Sequence, residues 1–141
     1  MNLGDSEQRF GILWLFFGYS LALHVLDEAG HDFLSVYNPN ALALRRVLPR
    51  LPFPLFTFRS FIGVLLLVLT LWLGMSPMAF RRPVWMRYLA IPVALLAGCG
   101  NGLAHIGSSI YFGQMMPGVF TAPLILLAGI LLLRAARQES A

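Results

Sequence analysis

The sequence predicts an all-α fold: an integral membrane bundle of four helices, forming a single transmembrane domain over residues 1–141. Three observations predict it. The chain is 58% hydrophobic and only 11% charged, with a mean hydropathy of +0.75, far too apolar for a soluble domain of this size. Its apolar residues fall into four runs, each near the ~20 residues that a helix needs to cross hydrocarbon. In lipid the backbone must satisfy its own hydrogen bonds, so such runs fold as helices.

The first helix is expected at about 10–29. The acidic flank of Asp5 and Glu7 is no signal-peptide n-region, so this run reads as a retained membrane helix. The second helix is expected at about 61–80, the third at 88–112 and the fourth at 117–133, where Pro117 suits a first helical turn. The loop over residues 38–58 is rich in proline (39, 49, 52 and 54) and arginine (45, 46 and 50), and reads as interfacial. Within it, residues 41–48 suit a short helix with arginines toward headgroups, and the proline-broken segment 51–56 reads either as a lid or as an ordinary apolar surface loop.

All ten basic residues are arginines, and the net charge is +4. They lie in the gaps between apolar runs, which makes them topology signals and headgroup contacts and excludes a nucleic-acid groove. With four spans, one side carries Arg9, Arg81, Arg82, Arg87, Arg134 and Arg137, and the other Arg45, Arg46, Arg50 and Arg59. The more basic side holds both termini, so the termini are expected in the cytoplasm, with membrane lipids as the surrounding partner. The single Cys99 lies inside an apolar run and reads as a small buried residue.

Polar residues inside these runs are few and concentrated. His24, Asp27, Glu28 and His31 follow one another at i, i+3, i+4 and i+7, which places them on one helix face. On the third run Ala94, Gly98, Asn101, His105 and Ser108 form a second stripe, with Gly98/Gly102 and Gly100/Ala104 at the small-xxx-small spacing of closely packed membrane helices. His24 lies ~21 Å along the first helix and His105 ~25 Å along the third, counted from the same side. The two stripes are therefore expected to face each other at a common depth, joining helices one and three.

Histidine nitrogens with carboxylate oxygens suit a divalent Zn, Fe or Mn ion. Glu28 and His31 form a Glu-x-x-His pair of the kind used in di-iron bundles. Those sites need two such pairs and about four carboxylates, so a single metal fits this chain better. The expected ligands are His24, Glu28, His31 and His105. Asp27 would orient a ligand or act as base, and Asn101 would fix a histidine or the substrate. A metal-free acid–base pair or proton path, and a purely structural polar network, are the other readings of the same residues. The tryptophans, methionines, Ser108 and Ser109 read as packing residues or helix back-bonding groups. Phosphate loops, Gly-x-Ser-x-Gly elbows and Cys-x-x-Cys pairs are absent.

The spacing His24-Val-Leu-Asp27-Glu28 resembles the motif of the HXXEE family of small bacterial integral membrane proteins. The family also has a later histidine, matched by His105, and a Tyr-x-Pro-Gly motif, matched by Met115-Met116-Pro117-Gly118. Asp27 stands where the family has its first Glu, and Met115 stands in place of Tyr, which removes a hydroxyl from the motif. His31 is outside the motif. The resemblance implies a bacterial inner-membrane location and a function-bearing site, and names no reaction. A small metalloenzyme acting on a lipid or other hydrophobic molecule, a non-catalytic subunit of a larger membrane complex or homo-oligomer, and a proton pathway are the three functions these residues leave open.

Overall fold

The computed structural model describes residues 3–138. It is all-helical, with no strand among the described residues. In chain order the helices are α1 (Leu3–Gly30), α2 (Phe33–Val47), α3 (Phe58–Gly74), the single turn α4 (Ser76–Ala79), α5 (Val84–Phe112) and α6 (Ala122–Arg137). Two of them, Ser6–Gly30 within α1 and α5, are long and apolar enough to cross a membrane, and α3 is a shorter apolar helix.

The helix at the centre is the last one. Ile125, Ala128, Gly129, Leu132, Ala135 and Ala136 of α6 are all buried, and α6 packs along both α1 and α5. Helices one and three do meet through polar side chains, His24 and Glu28 against His105, but the packing along their length is with α6. The small-residue stripe of α5 meets α6 instead. A Cβ on Gly98 would come within 2.7 Å of Gly129 Cα, and one on Gly102 within 2.9 Å of the Ala122 carbonyl. Small residues on both helices are what lets the two backbones approach so closely. The small-xxx-small spacing identifies a packing face but not the helix that occupies it.

Helix α5 is continuous but widened. Pro92 lacks the N–H that would bond one turn back, and residues Ala94–Gly100 form π-helical turns before the α-helix resumes at Asn101. Helix α1 is tied to α3 by an aromatic clasp. The indoles of Trp14 and Trp72 stack at 3.6 Å and 3°, and each indole N–H donates to the other residue's backbone carbonyl, at 2.9 and 3.1 Å. Gly18 makes room, since a Cβ there would lie 2.8 Å from the Trp72 ring. Buried indoles keep a partner for their N–H in this way.

The segment expected as a loop over 38–58 is largely helix at its start, because α2 runs through Pro39 to Val47. The sequence places a short helix at 41–48; the observed one begins earlier and crosses Pro39. The fixed φ of proline is helical, so its cost is one backbone bond and local strain, and tertiary contacts hold α2 in place. Phe33 rests on Phe61, and Tyr37 on Phe56. The extended residues after α2 fold back on it: the Asn38 amide donates to the Phe56 carbonyl at 2.9 Å and accepts from its N–H at 3.0 Å, while Arg45 Nε donates to the Phe53 carbonyl at 2.6 Å. Thr57 and Ser60 then cap α3 reciprocally. The final helix starts at Ala122, not 117. Residues 113–121 form a turn-rich connection in which Gly113 and Gly118 adopt left-handed φ of 64° and 84°.

Candidate metal centre

The site lies at one end of α6, where the last turns of α1, the second half of α5 and the connection before α6 converge. From α1, His24, Asp27 and Glu28 project inward and are buried. Their i, i+3, i+4 spacing is that of one helix face. From α5 comes His105, also buried. The two imidazoles meet edge to face with centroids 4.8 Å apart. Between them lies the carboxylate of Glu28: its Oε1 is 3.1 Å from His105 Nε2 and 3.6 Å from His24 Nε2.

The orientation of His24 is set from behind. Its Nδ1 is 2.9 Å from Thr121 Oγ1. The Thr121 hydroxyl donates to Asp27 Oδ2 at 2.9 Å, and the Thr121 N–H donates to the same oxygen at 3.0 Å. A hydroxyl has one proton and an ionised carboxylate only accepts. With that proton on Asp27, Thr121 Oγ1 accepts from His24, which places the imidazole proton on Nδ1. The Nε2 lone pair is then free, and His24 Nε2 is a fully buried nitrogen with no hydrogen-bond partner among the described residues. An imidazole that donates through its far nitrogen to a carboxylate-supported group is the usual support of a metal ligand.

One ligand atom from each of His24, Glu28 and His105 lies within 4.8 Å of the other two. Ligands about 2 Å from a tetrahedral ion sit about 3.3 Å from one another. The 3.1 and 3.6 Å separations bracket that value, while the set as a whole spans up to 4.8 Å, so the three residues could hold a divalent ion that prefers N and O donors if the two imidazoles draw closer. The loop covers the site through Gly118, whose missing side chain is a condition of the geometry. A Cβ there would fall 2.8 Å from the His105 ring and 3.0 Å from that of His24.

Three of the residues expected at the site are placed differently from these ligands. His31 lies outside the group, with its side chain 53% exposed and its Nδ1 turned back to Asp27, 2.8 Å from the carbonyl oxygen and 2.9 Å from Oδ1. Helix α1 stops at Gly30, so the face that carries His24 and Glu28 ends before reaching it. Asp27 accepts from the Thr121 N–H and hydroxyl at the start of α6. Asn101, half-buried one turn before His105, makes no hydrogen bond to either histidine. Thr121 and Gly118 are the participants that residue chemistry alone misses. The Pro-Gly of the later motif was the available signal for Gly118. Met115, where the resemblance puts a tyrosine, is 73% exposed.

The fold and the site together define a class: an all-helical protein with apolar helices long enough for a bilayer and a buried histidine–carboxylate cluster at one end of them. Residues 14–133 match the family described as protein of unknown function with HXXEE motif, and the chain belongs to that family. No curated protein and no solved structure matches it significantly.

Proposed function

We propose that this protein is a multi-pass protein of the bacterial inner membrane, with α1, α3, α5 and α6 as its four spans and its termini in the cytoplasm. In this reading it binds one divalent metal ion, Zn, Fe or Mn, through His24, Glu28 and His105, and acts as a metal-dependent enzyme on a lipid or other hydrophobic molecule. The membrane reading is supported by the outer surface of α3, where Val64, Leu66, Leu67, Val68 and Leu71 are all exposed. An apolar face of that size has no place in water.

The observation that carries the metal reading is the unclaimed Nε2 of His24, fully buried and aimed at the oxygen that also meets His105. A buried lone pair without a donor is costly unless something binds it. His24, Glu28 and His105 would hold a divalent ion through two imidazoles and one carboxylate, and the ion would supply Lewis-acid activation of water. Around it, Asp27 and Thr121 hold His24 in one tautomer, Glu28 supplies the negative charge, and the Gly118 backbone closes the roof. Asp27 is the orienting group of this site, and Glu28 is its anionic ligand.

The test is metal analysis of the detergent-purified chain after exposure to zinc. The expected result is about one ion per chain, lost in Glu28→Ala and in His105→Ala. Protein without zinc, whose melting temperature nevertheless falls sharply in both variants, would replace this reading with that of a structural joint between α1, α5 and α6.

A further inference from the structure

Two cavities approach the His105–Glu28 pair from different sides, and their linings differ in chemistry. One, of about 230 Å³, lies between α2 and the second half of α5 and includes Phe33, Val36, Tyr37, Ala104, His105 and Phe112. The other, of about 290 Å³, opens among α1, α2 and α3 and is lined by Glu28 and Asp32 together with Phe33, Phe58 and Phe61. Phe33 belongs to both. Its ring lies 5.9 Å from that of His105, 5.5 Å from Phe61 and 5.4 Å from Tyr37, so it stands as a wall between them.

We propose that the first cavity holds the hydrocarbon tail of a single-chain amphiphile whose polar head meets the His105–Glu28 pair, and that Phe33 separates this tail from a distinct polar mouth serving Glu28. The head's contact rests on the metal-site reading above, whereas the tail's place rests on the groove alone. Polar groups along the groove are largely spent on the protein itself. The Ser108 hydroxyl donates to the His105 carbonyl at 3.1 Å, and the Asn40 amide donates to the Val36 carbonyl at 2.8 Å. What remains is an apolar wall along α2 and α5 with an imidazole at its inner end. From Phe33 to Asn40 the groove follows α2 for about 10 Å. Its volume falls below the roughly 300 Å³ at which pockets begin to enclose a whole drug-sized ligand. It suits one chain of medium length, entered sideways from lipid, and has no space for a two-tailed lipid.

The experiment uses the full chain, zinc-loaded in nanodiscs, with dodecanoic acid carrying a terminal photoreactive diazirine as the probe. Labelling is expected to concentrate on Val36, Ala104, Phe112 and Met116. Ala104→Trp, and Val36→Trp from the opposite wall, should lower that labelling about ten-fold, since a misfit of even one methylene in an apolar pocket is worth about that much. Zinc should stay at the wild-type level in both, which shows that the variants fold. Labels spread evenly over the exposed faces of α3 and α5, or groove labels indifferent to both tryptophans, would overturn the proposal while leaving the metal reading intact. Groove labelling that persists in a protein unable to bind zinc would support the tail's place and overturn the metal reading alone.

Discussion

The two ends of α6 are both closed by charged side chains from elsewhere in the chain, but the two closures differ in kind. At its C-terminal end Arg82 donates to the carbonyls of Ala135 and Gln138 and to Ser6 Oγ, and Arg87 Nε donates to the Ala136 carbonyl. At its N-terminal end Asp27 accepts the Thr121 N–H and hydroxyl. Each charge has the sign that the helix macrodipole favours, and each supplies backbone groups that the helix leaves unpaired. At the arginine end, the hydrogen bonds from Arg82 and Arg87 to α6 and its C-cap go to backbone carbonyls. At the other end the hydrogen-bond chain continues through Thr121 to His24 and leaves an outward lone pair beside Glu28 and His105. Arg82 Nε is also without a partner, but it is a donor on a cation and has nothing to offer a metal. Burial lowers the pKa of this guanidinium, with Arg87 adding to the effect, yet arginine stays charged. Both ends supply partners to the helix, and only one of them also adjoins the histidine–carboxylate cluster.

This contrast can be broken or sharpened by four substitutions. The largest effect is expected of Gly118→Ala, which forces a left-handed residue to carry a side chain against two imidazoles. It should cost about 2–4 kcal/mol and remove zinc binding, as read by unfolding in detergent and by metal content. Unchanged values for both would mean that this loop does not roof the site. Arg82→Ala should cost about 1–3 kcal/mol through the stranded carbonyls and leave the zinc content at the wild-type level. A fall in zinc affinity there would erase the distinction between the two ends. Thr121→Val removes the hydroxyl but keeps the shape. It should weaken zinc 10–100-fold, the usual effect of losing such a supporting group, for about 1 kcal/mol of stability, and Thr121→Ser should restore the affinity. Equal zinc affinity in Val and Ser variants would detach Asp27 from the site. His31→Ala should change stability by less than about 0.5 kcal/mol and zinc not at all; a lost ion would return His31 to the ligand set.

The legibility of these features in the sequence divides along physical lines. His24, Asp27 and Glu28 could be read together because spacing within one helix fixes a shared face. His105 could be added because helix rise converts residue number into depth. His31 was misplaced because the same spacing rule needs the helix to continue, and α1 ends at Gly30. The short helix at 41–48 was legible, but its earlier start at Phe33 was hidden by Pro39, since the ring contacts that keep α2 folded come from Phe56 and Phe61, far along the chain. The place of α6 between α1 and α5 was hidden because Gly98 and Gly129 match in shape, and single-sequence spacing does not encode such pairings. For Thr121 and Gly118, the relevant facts are a through-space bond and a positive φ, both properties of the assembled chain.

The widened turns of α5 have a bearing on evolution and engineering. In a regular α-helix, residues four apart drift steadily around the axis. Yet Met86, Ala90, Ala94, Gly98 and Gly102 all remain buried. Turns that take more than 3.6 residues rotate the later half backward and cancel that drift, acting as a phase corrector between the two halves of the rod. The aim of one imidazole is thereby decided two turns away, by residues that never touch it. Regularising that stretch at constant length, so that each turn takes 3.6 residues, would rotate position 105 away from Glu28 and His24 with every residue of the cluster still encoded.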